Sequence, residues 1–498
     1  MSDKDTPEQK KNEDYQAPEG ADCEKQLTLA NGNLLEYQAK AGWTLLREKE
    51  KPVAEVFSVA YLAKGTDVAK RPLTFVFNGG PGAASAYLHV GALGPRRVRF
   101  SDTGKPLPPP TDMEDNPESW LSFTDLVFID PVGTGFSRII DPDKPEKKEG
   151  EKPEDENRFF GLNKDLESLA EFMARFLSTH DRWLSPVFIA GESYGGFRVA
   201  KLAKLLQQGK GIGLSGAILI SPALELSLLD SSDYDVLSWV DRFPVMAMAA
   251  YQHARALRFA KAGDLQEVKE KAEAFAMKDL ALLLTNGDGM GEVNRKRILK
   301  TFANMIGLDP LLAERSGGRV GLMRFARELL KDERKVIGIY DASVAADDPF
   351  PDRDTYEGAD PTLYGIERVF AAGINHCLRN ELGLKTDREY HLLSMEVNSA
   401  WKIDFKRHAL ESQLGATDDL RYAMGLNPHM KVRITHGLFD LITPYFSSER
   451  ICRHLKLSAA AKQQLSLKHY HGGHMFYSWE ASRQEFYQDM QQFFDSAR

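Results

Sequence analysis

The feature that most constrains this chain is a set of short apolar runs, interrupted only by Thr74, at residues 73–77, 126–129, 187–190 and 217–220. A strand that is apolar at every position, rather than at every second one, has to be covered on both faces, which is the situation of a parallel strand inside an α/β sheet. Helical patterning lies between some of these runs. The clearest case places Leu166, Leu169, Phe172, Met173, Phe176 and Leu177 on one face, with Asn163 as candidate N-cap. Strands alternating with helices predict an open, mostly parallel sheet. Upstream, alternation over residues 53–61 and turn signals at Ala30-Asn31-Gly32-Asn33 and Lys64-Gly65-Thr66 predict antiparallel hairpins.

A chain of 498 residues exceeds what one compact core holds, so a domain split or a large insertion is expected. Residues 1–26 are polar and charged and read as a loose tail. Residues 27–222 carry the first part of the sheet domain, interrupted at 141–158 by a stretch of Asp, Glu, Lys, Pro and Gly that reads as a solvated loop. Residues 223–428 are patterned as a mainly helical insertion, or cap. Residues 429–498 complete the sheet domain with strand-like runs at 432–435 and 465–469 and a terminal helix carrying Phe486, Met490 and Phe493.

The net charge of −8 and the lack of a basic stripe argue against nucleic acid as a partner. No apolar run approaches the roughly 18 residues that cross a bilayer, and Met1-Ser2-Asp3-Lys4-Asp5 lacks the basic-then-apolar pattern of a secretory leader. The expectation is a cytoplasmic protein without membrane contact, or a periplasmic or secreted one if a leader has been removed. Cys23, Cys377 and Cys452 are odd in number and far apart, so neither a disulfide framework nor a structural zinc site is expected. The oligomeric state is left open, a homodimer among the options.

Phe188-Ile189-Ala190-Gly191-Glu192-Ser193-Tyr194-Gly195-Gly196 sets a serine between glycines, after a strand and before the helical run Val199, Leu202, Leu205, Leu206. That is the context of a nucleophile elbow, a turn so tight that its flanks must be small. A serine needs a histidine to take its proton and a carboxylate to orient that histidine. Past the 432–435 strand lies Asp440. At the end of the 465–469 strand and just past it lie His469, His471 and His474, of which His474 is preferred because Gly472-Gly473 frees its loop. A metal reading of the histidines lacks a carboxylate at ligand spacing. Acyl transfer also needs N–H donors for the oxyanion. Tyr194, after the serine, offers one, and the strand-to-turn segment Phe77-Asn78-Gly79-Gly80-Pro81-Gly82 is suited to deliver a second.

Seven collinear blocks carry a resemblance: Asn78-Gly79-Gly80-Pro81-Gly82, Leu93-Gly94-Pro95, Asn116-Pro117-x-Ser119-Trp120, Asp130-Pro131-Val132-Gly133-x-Gly135-Phe136-Ser137, Gly191-Glu192-Ser193-Tyr194-Gly195-Gly196, Gly437-x-x-Asp440 and Gly473-His474-Met475. Together they resemble the serine carboxypeptidases, peptidase family S10. The resemblance implies an α/β-hydrolase fold and the triad Ser193, Asp440 and His474. It further implies an oxyanion hole from the N–H groups of Gly80 and Tyr194, and Asn78 and Glu192 as binders of the peptide's terminal carboxylate. The implied enzyme is a cofactor-free serine carboxypeptidase that removes the C-terminal residue of peptide substrates through an acyl-enzyme. The alternative is an esterase or acyltransferase on the same triad. Three positions depart from the family pattern: Ala83 stands where a cysteine is usual, Val76 where a tryptophan is, and Ala92 where a second glutamate normally shares a proton with the counterpart of Glu192. The expectation at Ala92 is a less firmly held Glu192 proton and peptide recognition that fades as pH rises.

Overall fold

The computed structural model describes residues 15–140, 158–403 and 414–497. Its centre is a ten-stranded sheet built from β1 (Ala21–Thr28), β2 (Leu34–Glu48), β3 (Lys51–Ala63), β4 (Leu73–Phe77), β5 (Asp125–Ile129), β6 (Arg138–Ile139), β7 (Val187–Glu192), β8 (Leu214–Ile220), β9 (Lys431–Gly437) and β10 (Leu465–Tyr470). The spatial order is β1-β2-β3-β5-β4-β7-β8-β9-β10, with β6 paired to β3. From β5 to β10 all pairings are parallel, while β1, β2 and β3 add an antiparallel meander at one edge. The apolar runs fall in β4, β5, β7 and β8 as expected. In β7, Phe188 and Ala190 enter the core on one face and Val187 and Ile189 the core on the other. That two-sided demand is why no alternation shows in the sequence.

Two corrections concern element ends. Residues 21–26, read as part of the tail, form the start of the edge strand β1. Of that strand only Leu27 is fully buried, and its outward positions are polar residues paired across to β2, Gln38 to Asp22 and Gln26 to Glu36. An edge strand of this kind has too few apolar positions to announce itself. Asn163 is not a cap: helix α1 (Leu162–Thr179) is entered from Gly161, and Asn163 sits inside its first turn. The hairpin joining β2 and β3 turns on Lys49 and Glu50, both at positive φ, without the glycine or asparagine that would have marked it. Apart from Arg158, the expected loop at 141–158 lies outside the described residues, as does most of the expected tail.

Helix α2 (Tyr194–Gly209) lies on the same face of the sheet as α1. The stretch 223–428 is mainly helical but is not one cap. Helices α3 (Leu237–Gln252), α4 (Leu265–Phe275) and α5 (Glu292–Ile306) have a core of their own, with Phe243, Phe275 and Phe302 stacked within it. Helix α6 (Tyr364–His376) packs into the main core on one side of the sheet, and α7 (Thr417–Leu426) joins the core on the other. Two helices close the fold: α8 (Tyr445–His454), after β9, shares Tyr445 and Phe446 with the core of α3–α5, and α9 (Glu480–Ser496) covers the sheet through Phe486, Met490 and Phe494. Among the described residues no helix is long and apolar enough to cross a membrane, and all three cysteines are free thiols.

Candidate active site

The residues singled out by sequence sit where parallel strands end. Asn78 follows β4, Ser193 follows β7, Asp440 follows β9 and His474 follows β10, all at the carboxyl edge of the sheet. In an open α/β sheet that edge is where ligands are bound.

Ser193 adopts φ 62°, ψ −124°, a conformation that L residues rarely occupy, and α2 begins at the next residue. The turn is tight enough that a Cβ on Gly191 would collide with the carbonyl of Gly195. On Gly195 it would come 2.7 Å from Phe77 O and 2.9 Å from Asn78 O. The glycines are therefore needed for backbone approach: the loop after β4 lies directly on the elbow. Gly79 is likewise close to Glu192 and Tyr194, so the loop that carries Gly79 and Gly80 runs against the elbow at Gly79.

His474 Nδ1 lies 2.6 Å from Asp440 Oδ2. Asp440 is fully buried and also accepts the N–H groups of Ile442 (2.9 Å) and Thr443 (3.0 Å) on Oδ1. The Thr443 hydroxyl lies 2.7 Å from Asp440 Oδ2 and 2.9 Å from Ser221 O. Burial disfavours a charged His474, but the charge of Asp440, its hydrogen bond and the charge of Glu192 outweigh this and hold the imidazole above its ordinary pKa. The other two histidines go elsewhere. His469 packs on Tyr445 near Glu449, and burial with nearby Lys269 pushes it down to about 3. His471 is wedged between Phe439 and Trp479, where burial also lowers it. No hydrogen bond joins Ser193 Oγ to His474 among the described residues; in ligand-free sites such bonds commonly tighten only with substrate.

Glu192 is buried, and Asn78 Nδ2 donates to its Oε2. Asn78 Oδ1 in turn accepts the N–H of Leu88 at 3.1 Å, which fixes the orientation of the amide. Burial raises the Glu192 carboxyl to about 7, with Asp440 adding to the rise and His474, Tyr477 and Asn78 opposing it. The arrangement thus holds a carboxyl that is neutral under mildly acidic conditions, one residue from the elbow serine.

Several motif residues prove to be braces. Asn116 donates to Ala92 O (2.6 Å) and Gly94 O (2.8 Å), and Ser119 to Leu93 O (2.8 Å), locking the turn at Leu93-Gly94-Pro95. Asp130 Oδ1 accepts from Ser85 N–H (2.9 Å), and Ser137 Oγ donates to Asp130 O (2.6 Å), which ties the loop after β5 to the loop after β4.

Sequence reasoning missed four residues packed around these groups. Arg198 on α2 is fully buried, paired with Asp165 of α1 at 2.7 and 3.1 Å, and donates to Asn78 O at 2.8 Å. Its signal was present: a single cation on the stripe Arg198, Leu202, Leu206 demands a partner. Thr443 and Ser221, whose hydroxyl donates to His474 O at 2.8 Å, carried no such mark. Tyr340, from the segment preceding α6, places its ring edge-on to His474 at 5.4 Å, and its main-chain carbonyl accepts the backbone N–H of His474.

The serine carboxypeptidase sequence profile matches residues 34–299, more than half of the chain. The chain belongs to the serine carboxypeptidase family. Within this family it is 34% identical over 167 residues to a serine carboxypeptidase-like protein of Arabidopsis thaliana, a stretch that is 33% of this chain and 30% of that protein. It is 29% identical over 151 residues to a pheromone-processing carboxypeptidase of Neosartorya fischeri, 28% of this chain and 19% of that one. These alignments therefore span less than a third of either relative. The solved prohormone-processing carboxypeptidase of Saccharomyces cerevisiae superposes with a TM-score of 0.53 at 16% identity, covering 91% of this chain and 92% of that one. The serine carboxypeptidase family thus supplies the fold, an α/β hydrolase, over nearly the whole length. Asp440 and His474 lie beyond the matched profile, and their pairing rests on the geometry.

Proposed function

We propose that the protein is a serine carboxypeptidase that removes the C-terminal residue of peptides through an acyl-enzyme intermediate. Ser193 Oγ attacks the scissile carbonyl while His474 takes its proton, and Asp440 holds the imidazole tautomer and stabilises the imidazolium. The tetrahedral oxyanion is received by the N–H groups of Gly80 and Tyr194, one on each side of the close approach between the β4 loop and the elbow. His474 then protonates the departing amino group, and water activated by the same histidine releases the acyl group and regenerates Ser193.

The observation that carries the carboxypeptidase reading is Glu192, a buried carboxyl raised to about 7 and bonded to Asn78, adjacent to the nucleophile. An esterase has no use for such a group. An exopeptidase does, because neutral donors in a desolvated pocket can receive a terminal carboxylate that an ionised carboxyl would repel. The test is mass spectrometry of a peptide library after incubation, with Ser193→Ala as control. Loss of single C-terminal residues by the wild type alone is expected. Ester turnover and fluorophosphonate labelling of Ser193 with no shortened peptide would make the enzyme an esterase.

A further inference from the structure

Three buried polar atoms around the candidate site have no hydrogen-bond partner: Glu192 Oε1, the Tyr477 hydroxyl and the Tyr87 hydroxyl. All three residues are more than nine-tenths buried, at 3%, 0% and 5% exposure. A buried polar atom left unbonded weakens the fold, and two unbonded hydroxyls beside one unbonded carboxyl oxygen need an explanation. They belong to one constellation. The Tyr477 hydroxyl lies close enough to the Glu192 carboxyl to act on it as a donor, though no well-directed hydrogen bond forms between them, and the Tyr87 hydroxyl lies within the fields of both Glu192 and Tyr477. The Tyr477 ring rests against Gly91, where a Cβ would stand 3.1 Å from its Cε2, and Tyr87 packs tilted against Phe370 with ring centroids 5.0 Å apart. The Tyr477 ring thus occupies the space beside Gly91, next in the chain to Ala92, where the family pattern carries its second glutamate.

We propose that Tyr87 and Tyr477 are substrate-binding residues whose hydroxyls donate to the terminal carboxylate of the peptide, beside Asn78 and Glu192, in place of that second glutamate. The chemistry favours the exchange. A second carboxyl serves only while protonated, whereas a phenol is a neutral donor throughout the working range, and burial moves both phenols further from ionisation. A carboxylate entering this group satisfies the orphaned donors with charge-assisted bonds. The assignment rests on the carboxypeptidase reading above.

The test compares kcat/KM for a blocked dipeptide and for its C-terminal amide at pH 6 in wild type, Tyr87→Phe and Tyr477→Phe. The ratio of acid to amide is taken within each enzyme, so any loss of folded protein cancels. Removing one charge-assisted donor should lower that ratio about ten- to hundredfold in each variant. A ratio equal to that of wild type in both variants would overturn the inference. A wild type that turns over simple esters but shows no preference for the acid would instead overturn the reading it rests on.

Discussion

Ser193 is held at φ 62°, ψ −124° by the strand before it and the helix after it, and that strain is a cost to the fold, not a gain. Ser193→Gly removes the proposed nucleophile and the strain together, whereas Ser193→Ala removes only the proposed nucleophile. Both should be inactive, and the glycine variant should be the more stable by about 1 kcal/mol, since strain relief of ~1–3 kcal/mol exceeds the entropic cost of glycine. Denaturant titration of the two variants measures this; equal midpoints would mean the elbow is unstrained. Of the three histidines in and just after β10, only His474 meets Asp440. His474→Ala should reduce kcat by several orders of magnitude, because triad members act as a unit. His469→Ala and His471→Ala should leave most of the activity, since one packs on Tyr445 and the other against Phe439 and Trp479. A severe loss in His471→Ala with near-normal His474→Ala would transfer the role.

Strands β4, β5, β7, β8, β9 and β10 were legible in the sequence because each is apolar on both faces or ends in a glycine-bearing motif. The elbow was legible for a steric reason: only glycines at 191 and 195 allow β7, α2 and the β4 loop to meet. What escaped detection was whatever depends on long-range partners. Nothing local distinguishes Thr443 as the hydroxyl beside Asp440, or Tyr477 as a neighbour of Glu192. Arg198 illustrates how α2 supports chemistry that it does not perform. Through Asp165 and Asn78 O it links α1, α2 and the loop that carries Gly80. Truncating one partner of a buried ion pair strands the other, so Arg198→Ala should cost about 3–5 kcal/mol of stability. It should also lower kcat for esters and peptides alike, because the loop proposed to hold the oxyanion loses its anchor. Stability and ester kinetics measured on one preparation would check both effects; a variant within 1 kcal/mol of wild type would show that the pair carries little.

At the scale of the whole molecule, the length of the chain predicted an insertion, but not that it would divide. Helices α3–α5 form a body with its own core, while α6 and α7 pack onto opposite faces of the sheet, so a boundary drawn at composition shifts could not separate them. The body is fastened to the sheet through Phe439, Leu441, Tyr445 and Phe446, which flank Asp440. Phe302→Ala, in the middle of that core, should cost about 3–5 kcal/mol. Hydrogen-exchange protection should then fall together in α3–α5 and in α8, with β4 and β7 keeping theirs; loss confined to α5 would mean the body does not open as a unit. The central claim is that a neutral Glu192 recognises a terminal carboxylate next to the triad. Below about pH 7 Glu192 is protonated and receives the carboxylate; above it the ionised form repels it. The preference for a blocked dipeptide over its C-terminal amide, measured as the ratio of kcat/KM from pH 5 to 9, should therefore decline through about pH 7 in the wild type. In Glu192→Gln, a permanent donor, it should stay flat. Equal turnover of acid and amide at every pH in the wild type would contradict the account.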